Sequence, residues 1–168
     1  RPGASLQLSA PRKIVSGAAK LVEEAGGQAF PVVCNVSDYE SIEAMTKAVI
    51  AKYGRIDVLM TNAAVQPPGF LSTIQLRHMD LEFKVNVFGP FWTIRAALPQ
   101  MLEQKSGSII NVSSVAADRG GSHYGMTKRA MESMTLGLAG EMRGNGIAVN
   151  CLKPVGGIET PGLLFGRA

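Results

Sequence analysis

The chain has 168 residues, of which 46% are hydrophobic and 18% charged, and a formal net charge of +4. That length predicts one domain with a proper core, and that hydrophobic content excludes a disordered chain. Its basic residues are scattered without a run, and no apolar run reaches membrane-spanning length, so no nucleic-acid or membrane partner is expected.

Pro11 to Ala25 carries Ile14, Ala18, Leu21, Val22 and Ala25 at helical spacing, and Gly26-Gly27 ends it. Ala29 to Val36 is a short β-branched run and predicts a strand. Asp38 is placed to cap a helix that runs to about Tyr53, with Glu40 in its first turn and Gly54 as the stop. Ile56 to Thr61 predicts the next strand. Gln66 to Thr73, with Pro67-Pro68-Gly69, reads as a loop. A long helix is predicted from about Met79 to Gln104, with Pro90 and Pro99 as possible kinks. Gly107 to Ser113 predicts a strand, Tyr124 to Arg143 a helix and Gly146 to Leu152 a strand. The alternation predicts an α/β fold, a doubly wound parallel sheet with helices on both faces.

Chemistry concentrates in Ser113 to Lys128. Tyr124 and Lys128 are four apart, so on a helix they share a face. An ammonium beside a phenol favours the phenolate, and a phenol tuned in this way moves protons near neutral pH. Two surface residues one turn apart give the same spacing, so the pair alone decides nothing. Ligands of open parallel sheets bind beyond the carboxyl ends of the strands. Val36, Asn62, Ser114 and Pro154 all stand at or just after such ends. Ala63 and Ala64 are small enough for a flat ring or a ribose to approach. Taken singly, Asn62 is equally a turn residue and Asn86 equally a buried helical amide bonded to backbone. Cys34 and Cys151 lie in predicted strands without CxxC spacing and read as buried reduced thiols. His78 and His123 lack ligand-spaced partners, so no metal is expected.

Asn62-Ala63-Ala64 after a strand, Asn86 in mid-helix, Ser114, Tyr124-x-x-x-Lys128 and a strand ending in Pro154 resemble, in that order, the short-chain dehydrogenase/reductase family. The resemblance runs from about Gly26 to Thr160. Lys153 to Thr160 is most similar to the hydroxysteroid dehydrogenase-like branch. It implies a single Rossmann-like, dinucleotide-binding domain over residues 1–168. The implied activity is an NAD(P)-dependent oxidoreductase that moves a hydride between a nicotinamide cofactor and a carbonyl or alcohol substrate. It implies Tyr124 as the acid/base, Lys128 as its pKa-lowering partner and ribose ligand, and Ser114 as the ligand of the substrate oxygen. Asn86 then holds a water that links Lys128 to solvent. For the cofactor it implies Asn62, Ala63 and Ala64 near the adenosine ribose, and Ile158 and Thr160 near the carboxamide. Asn35-Val36 stands where the family usually has Asp-Val against adenine. In the family the two long helices also form the main subunit contact, so a homodimer or homotetramer is expected.

The pattern departs from the family in three places. The opening strand and its glycine-rich phosphate turn are missing, Ser114 and Tyr124 are a few residues closer than usual, and the C-terminal strand is missing. Two missing strands would lie between Ala29–Val36 and Ile56–Thr61, which leaves the first of these without a neighbour. A longer polypeptide is the favoured explanation. The alternative function is a non-catalytic fragment of the fold that acts as an interaction or regulatory protein. Arg1 stands just past the missing second strand and leans the cofactor toward NADP. With no secretory h-region at Arg1-Pro2-Gly3-Ala4, a cytoplasmic location is expected.

Overall fold

The computed structural model describes residues 19–155. A helical stretch at 19–24 ends at Gly26, whose φ of 82° is left-handed. Helix α1 is Tyr39–Tyr53; Asp38 caps it by accepting from the Glu40 N–H at 3.2 Å, and Gly54 closes it at φ 73°. Strand β1 is Val58–Thr61. Helix α2, Leu76–Phe83, passes through a π-helical turn at Lys84–Phe88 into α3, Gly89–Gln104. Strand β2 is Gly107–Val112, the short helix α4 is Ala116–Arg119, α5 is His123–Glu141 and β3 is Ile147–Leu152.

The strands form one parallel sheet in the order β1-β2-β3, with Thr61 opposite Asn111 and Asn111 opposite Cys151. Right-handed crossovers that advance in one direction place their helices on one face. α3 packs on β1 and β2, α5 packs on β2 and β3, and α1 packs on α3. Alternate strand residues follow this arrangement. Ile109 and Ile147 are buried with Ile94, Met101 and Met142, and Leu59, Val149, Leu98, Met134 and Leu138 pack around them. On the opposite face Val58 and Met60 are more than half exposed. The α/β class and the parallel sheet therefore stand as expected, with α3 and α5 packed on the sheet and α1 on α3. Among them no helix is long and apolar enough to cross a membrane.

Four local expectations change. Ala29–Val36 is not a strand, because β1 is a sheet edge and no described strand pairs with the segment. An extended segment without a ladder leaves its polar groups to local partners. Here the Asn35 N–H donates to Ser41 Oγ at 2.9 Å. The long helix begins at Leu76 rather than Met79 and contains the π turn, while Pro99 sits inside α3 without ending it. The Tyr124 helix begins one residue earlier, because Ser122 caps it by accepting from the Gly125 N–H at 2.9 Å. Cys151 is exposed and Cys34 half-buried, because Cys151 lies on the outermost described strand and Cys34 in the unpaired segment.

Two contacts set how the chain enters its strands. Gln104, at the end of α3, accepts from the Ile56 N–H and donates to the Ile56 carbonyl, both at 2.9 Å. Gly146 turns the chain into β3 at φ 73°, where a Cβ would fall 2.1 Å from the Lys105 carbonyl oxygen. A side chain there meets both a strained φ and a backbone oxygen. Gly146→Ala is expected to lower the unfolding free energy by roughly 2–4 kcal/mol in urea titration. A loss under about 0.5 kcal/mol would show that the Lys105 turn yields freely.

Candidate active site

The strand register builds the rim. Thr61, Val112 and Leu152 are the last residues of their strands, so Asn62, Ser113 and Lys153 follow at one edge of the sheet. Asn62, Ala63 and Ala64 are exposed just beyond β1, and Pro154 is half-buried just beyond β3. The Ser113 N–H donates to the Leu152 carbonyl at 2.8 Å and extends the ladder into the rim. Ser114 is half-buried, and its Oγ accepts from the Ala116 N–H at 3.2 Å at the start of α4. That bond leaves the hydroxyl proton free to donate.

α4 and the left-handed pair Gly120-Gly121 carry the chain from Ser114 to Tyr124. α4 lies directly on the first turn of α5, where only the absence of a Cβ at Gly125 lets the Ala116 carbonyl approach. The short spacing between Ser114 and Tyr124 is thus taken up by a compact helical turn. Tyr124 is half-buried in the first turn of α5, and Lys128, one turn on, is buried at 3% exposure. The Lys128 Nζ lies over the Tyr124 ring, 5.5 Å from its centre, and donates to the Val112 carbonyl at 2.8 Å.

The electrostatics correct one expectation. Burial raises the Tyr124 phenol above its ordinary value, and the Glu82 carboxylate adds to the rise. Lys128 was expected to lower that pKa, but burial pulls its own pKa down, with Cys151 as a weaker opposing influence. Each charged form is penalised where water is excluded. At Tyr124 both effects favour the protonated phenol.

Asn86 is 1% exposed in the π turn. Its Oδ1 accepts from the Val65 N–H at 2.8 Å, and its Nδ2 donates to the Val65 carbonyl at 2.8 Å and to Thr127 Oγ1 at 3.1 Å. The Thr127 hydroxyl in turn donates to the Tyr124 carbonyl at 2.8 Å. One amide thus joins the loop after β1 to the first turn of α5. Residue 90 is proline, so the Asn86 carbonyl has no N–H donor four residues on.

Asn35 and Val36 lie off the sheet. The Asn35 side chain is spent on a turn, with its Oδ1 accepting from the Ser37 N–H at 3.1 Å and the Ser37 hydroxyl at 2.8 Å. The Val36 carbonyl rests against Gly89 at the start of α3. Ile158 and Thr160 lie outside the described residues.

Two clusters escaped the sequence reading. His123 is 3% exposed and Glu82 0%. The His123 Nδ1 lies 2.5 Å from Glu82 Oε2, and its Nε2 lies 3.1 Å from the Gly69 carbonyl. Burial raises the Glu82 carboxyl above its usual range, and His123 opposes the rise. The second cluster begins with the Ser113 hydroxyl, which donates to Glu132 Oε1 at 2.6 Å. Lys153 Nζ is 2.9 Å from the same Glu132 oxygen and 2.7 Å from Asp118. Burial acts to raise Glu132, but Ser113, Lys153 and Arg129 outweigh it and hold the carboxyl below its usual range. The only sequence hint of the first cluster is that His123 immediately precedes Tyr124. Among the described residues no three His, Cys, Asp or Glu side chains gather as a metal site.

The short chain dehydrogenase family model matches residues 3–163. The chain is 38% identical over 147 residues to the 3-oxoacyl-[acyl-carrier-protein] reductase FabG of Thermotoga maritima, covering 84% of this chain and 59% of that protein. It is 35% identical over 153 residues to a fluoren-9-ol dehydrogenase of Terrabacter, covering 78% of this chain and 43% of the relative. Two solved structures align well. A metagenomic short-chain oxidoreductase in complex with NADP has a TM-score of 0.81 at 30% identity, covering 86% of this chain and 67% of that one. An NAD+-bound xylitol dehydrogenase has a TM-score of 0.84 at 29% identity, covering 93% of this chain and 61% of that one. The chain thus spans little more than half the length of the curated FabG relatives it matches. With the family model over nearly all of its length and the serine, tyrosine, lysine and asparagine on the expected elements, this chain belongs to the short-chain dehydrogenase family.

Proposed function

We propose that the chain carries the proton-transfer site of an NAD(P)-dependent oxidoreductase that interconverts a carbonyl and an alcohol. One observation carries the reading: a buried ammonium, Lys128, at the end of β2 under the ring of Tyr124. Burying an ammonium is costly unless oxygen atoms surround it. Lys128 has three N–H donors and gives one to Val112. The others suit ribose hydroxyls, so the donor set fits a nicotinamide dinucleotide. Asn62, Ala63, Ala64 and Pro154 would line its path, with Ile158 and Thr160 beyond the described residues. NAD and NADP share the nicotinamide ribose that these residues would hold. The named relatives support the reaction class, being a reductase of a 3-oxo group and a dehydrogenase of an alcohol.

The bound nicotinamide supplies the hydride acceptor or donor. Ser114 donates its hydroxyl proton to the substrate oxygen and orients it. Tyr124 gives its phenolic proton to that oxygen during carbonyl reduction and takes it back during alcohol oxidation. Lys128 stabilises the phenolate once the proton has left. The Asn86 carbonyl would accept from a water that returns the proton from solvent. The substrate is a small carbonyl or alcohol compound.

Tyr124→Phe should lower turnover on the order of a hundredfold or more while leaving cofactor affinity within a few-fold, read by steady-state rates and NADPH or NADH fluorescence titration. Ser114→Ala should lower turnover alone. Lys128→Met should weaken the fluorescence change as well as turnover. Turnover of Tyr124→Phe within a few-fold of the parent would remove Tyr124 as the acid/base. The raised phenol pKa also has a sign. The protonated form persists below that pKa, so carbonyl reduction should hold through neutral pH and fall in alkali, while alcohol oxidation should rise with pH.

α3 and α5 enclose a groove of about 670 Å³ on their outer side, lined by Tyr39, Phe91, Leu98, Leu102, Met134 and Leu138. Phe88, Phe91 and Leu102 are more than a third exposed there or beside it. Helices apolar on a second face are buried on a second face. The proposed assembly is a homodimer or homotetramer joined across this groove. Light scattering at micromolar concentration should give a multiple of the chain mass, and a monomer alone would refute it.

A further inference from the structure

We propose that Glu82, His123 and the Gly69 carbonyl form a clamp closed by one shared proton, which makes Glu82 and His123 positioning residues for Tyr124 and for the loop after β1. The role at Tyr124 rests on the oxidoreductase reading above. The clamp itself rests on hydrogen-bond complementarity alone.

The Gly69 carbonyl only accepts, so the His123 Nε2 facing it at 3.1 Å must carry a hydrogen. On the other side of the ring, Nδ1 faces Glu82 Oε2 at 2.5 Å, a separation that requires a hydrogen between them. Two arrangements satisfy both contacts. Either Glu82 is ionised and His123 is an imidazolium, or Glu82 is protonated and donates to a neutral ring. Each has one shared proton and no net charge, as a buried pair needs. Removing that proton leaves one N–H on the ring for two acceptors. The charge-assisted bond to the carboxylate is the stronger, so the remaining hydrogen goes to Nδ1 and the Gly69 contact opens. Glu82 holds on to His123 all the more because its other oxygen, Oε1, is buried without a partner.

The contact that opens is the one that matters for the site. Asn86 pins the loop after β1 at Val65, and His123 pins it at Gly69. Beyond Gly69 the Thr73 and Ile74 N–H groups close a turn on the Phe70 carbonyl at 2.9 and 2.8 Å. With Gly69 released, Val65 remains the only tie among these between the loop and the inner helices. His123 and Tyr124 are the first two residues of α5, so the clamp holds the same helical turn that carries the phenol. The loop itself, 65–74, has no ionisable side chain. On α2, His78 stands one turn before Glu82, and Asp80 and Lys84 pair with each other at 2.9 Å on the exposed side. From α5 the neighbours are Tyr124 and, over its ring, Lys128. From α4, Asp118 is exposed and turned to Lys153.

The chain has 2 histidines, so nitrogen-15 labelling of histidine gives two ring systems, and His78→Gln assigns them. The His123 ring should show a protonated Nε2 and a hydrogen shared at Nδ1 at neutral pH. A ring protonated at Nδ1 alone would overturn the proposal. Hydrogen exchange of the loop then reads the clamp, with each pH corrected for intrinsic amide rates. In the parent, loop exchange should accelerate over the same pH range in which the nitrogen-15 spectra show Nε2 losing its hydrogen. Glu82→Gln should abolish that acceleration, because its amide donates to Nδ1 and leaves Nε2–H on Gly69 at every pH. His123→Phe should accelerate loop exchange about tenfold or more at all pH values. Glu82→Gln tracking the parent across pH would sink the idea, as would unchanged exchange in His123→Phe. If His123→Phe does not fold, the ring spectra and Glu82→Gln still decide. None of these readouts needs turnover, so they stand apart from the oxidoreductase reading. In an active preparation His123→Phe should lower kcat more than it changes KM, and an unchanged kcat would end the positioning role.

Discussion

The arrangement depends on an ammonium buried where water cannot solvate it. Lys128 reaches from the second turn of α5 to the carbonyl of the last residue of β2, and so fixes the helix against the central strand. A single neutral carbonyl does not repay the loss of hydration. The site therefore holds unspent attraction for oxygen atoms, directed at the rim where the strands end. The same exclusion of water keeps Tyr124 protonated and Glu82 dependent on His123. The chemistry of the site and its internal tension thus come from one cause, the burial of ionisable groups beneath α5.

The rest of the molecule supplies stiffness around that space. Asn111, wholly buried in β2, accepts from the Thr61 hydroxyl at 2.6 Å and donates to the Thr135 hydroxyl at 2.8 Å. One side chain thereby ties β1, β2 and α5 just below the rim. At the rim, Lys153 bridges Glu132 on α5 and Asp118 on α4. These are exposed or half-exposed ion pairs, worth little individually, and their use lies in fixing where three chain segments meet.

What the sequence made legible is local. Helix and strand periods, a capping Asp38 and the glycine stops located α1, β1, β2, α5 and β3 to within a few residues. The site motif was legible for the same reason, since Tyr124 and Lys128 are related by one helical turn. Three features were hidden. Ala29–Val36 has the composition of a strand, but a strand is a relation between segments, and no neighbour pairs with it among the described residues. The sign of the Tyr124 shift depends on burial, which no spacing reports. Glu82 and His123 come from different helices, with Gly69 from a loop between the strands, and no period links such partners.

The π turn sets the phase of the long helix. Buried positions Glu82, Asn86, Pro90, Thr93, Ala97 and Met101 recur once per turn, and together they run one residue longer than about 3.6 per turn allows. The wide turn at Lys84–Phe88 absorbs the surplus, so α2 and the turn aim Glu82 and Asn86 at the site while α3 aims Ile94 and Met101 at the sheet. Deleting one residue there would make the helix more regular and rotate one half against the other by about 100°. A length change in this segment therefore displaces Glu82 and Asn86 from their partners even where every side chain is kept. The segment's fit to two different neighbours is encoded in a count of residues as well as in their identities.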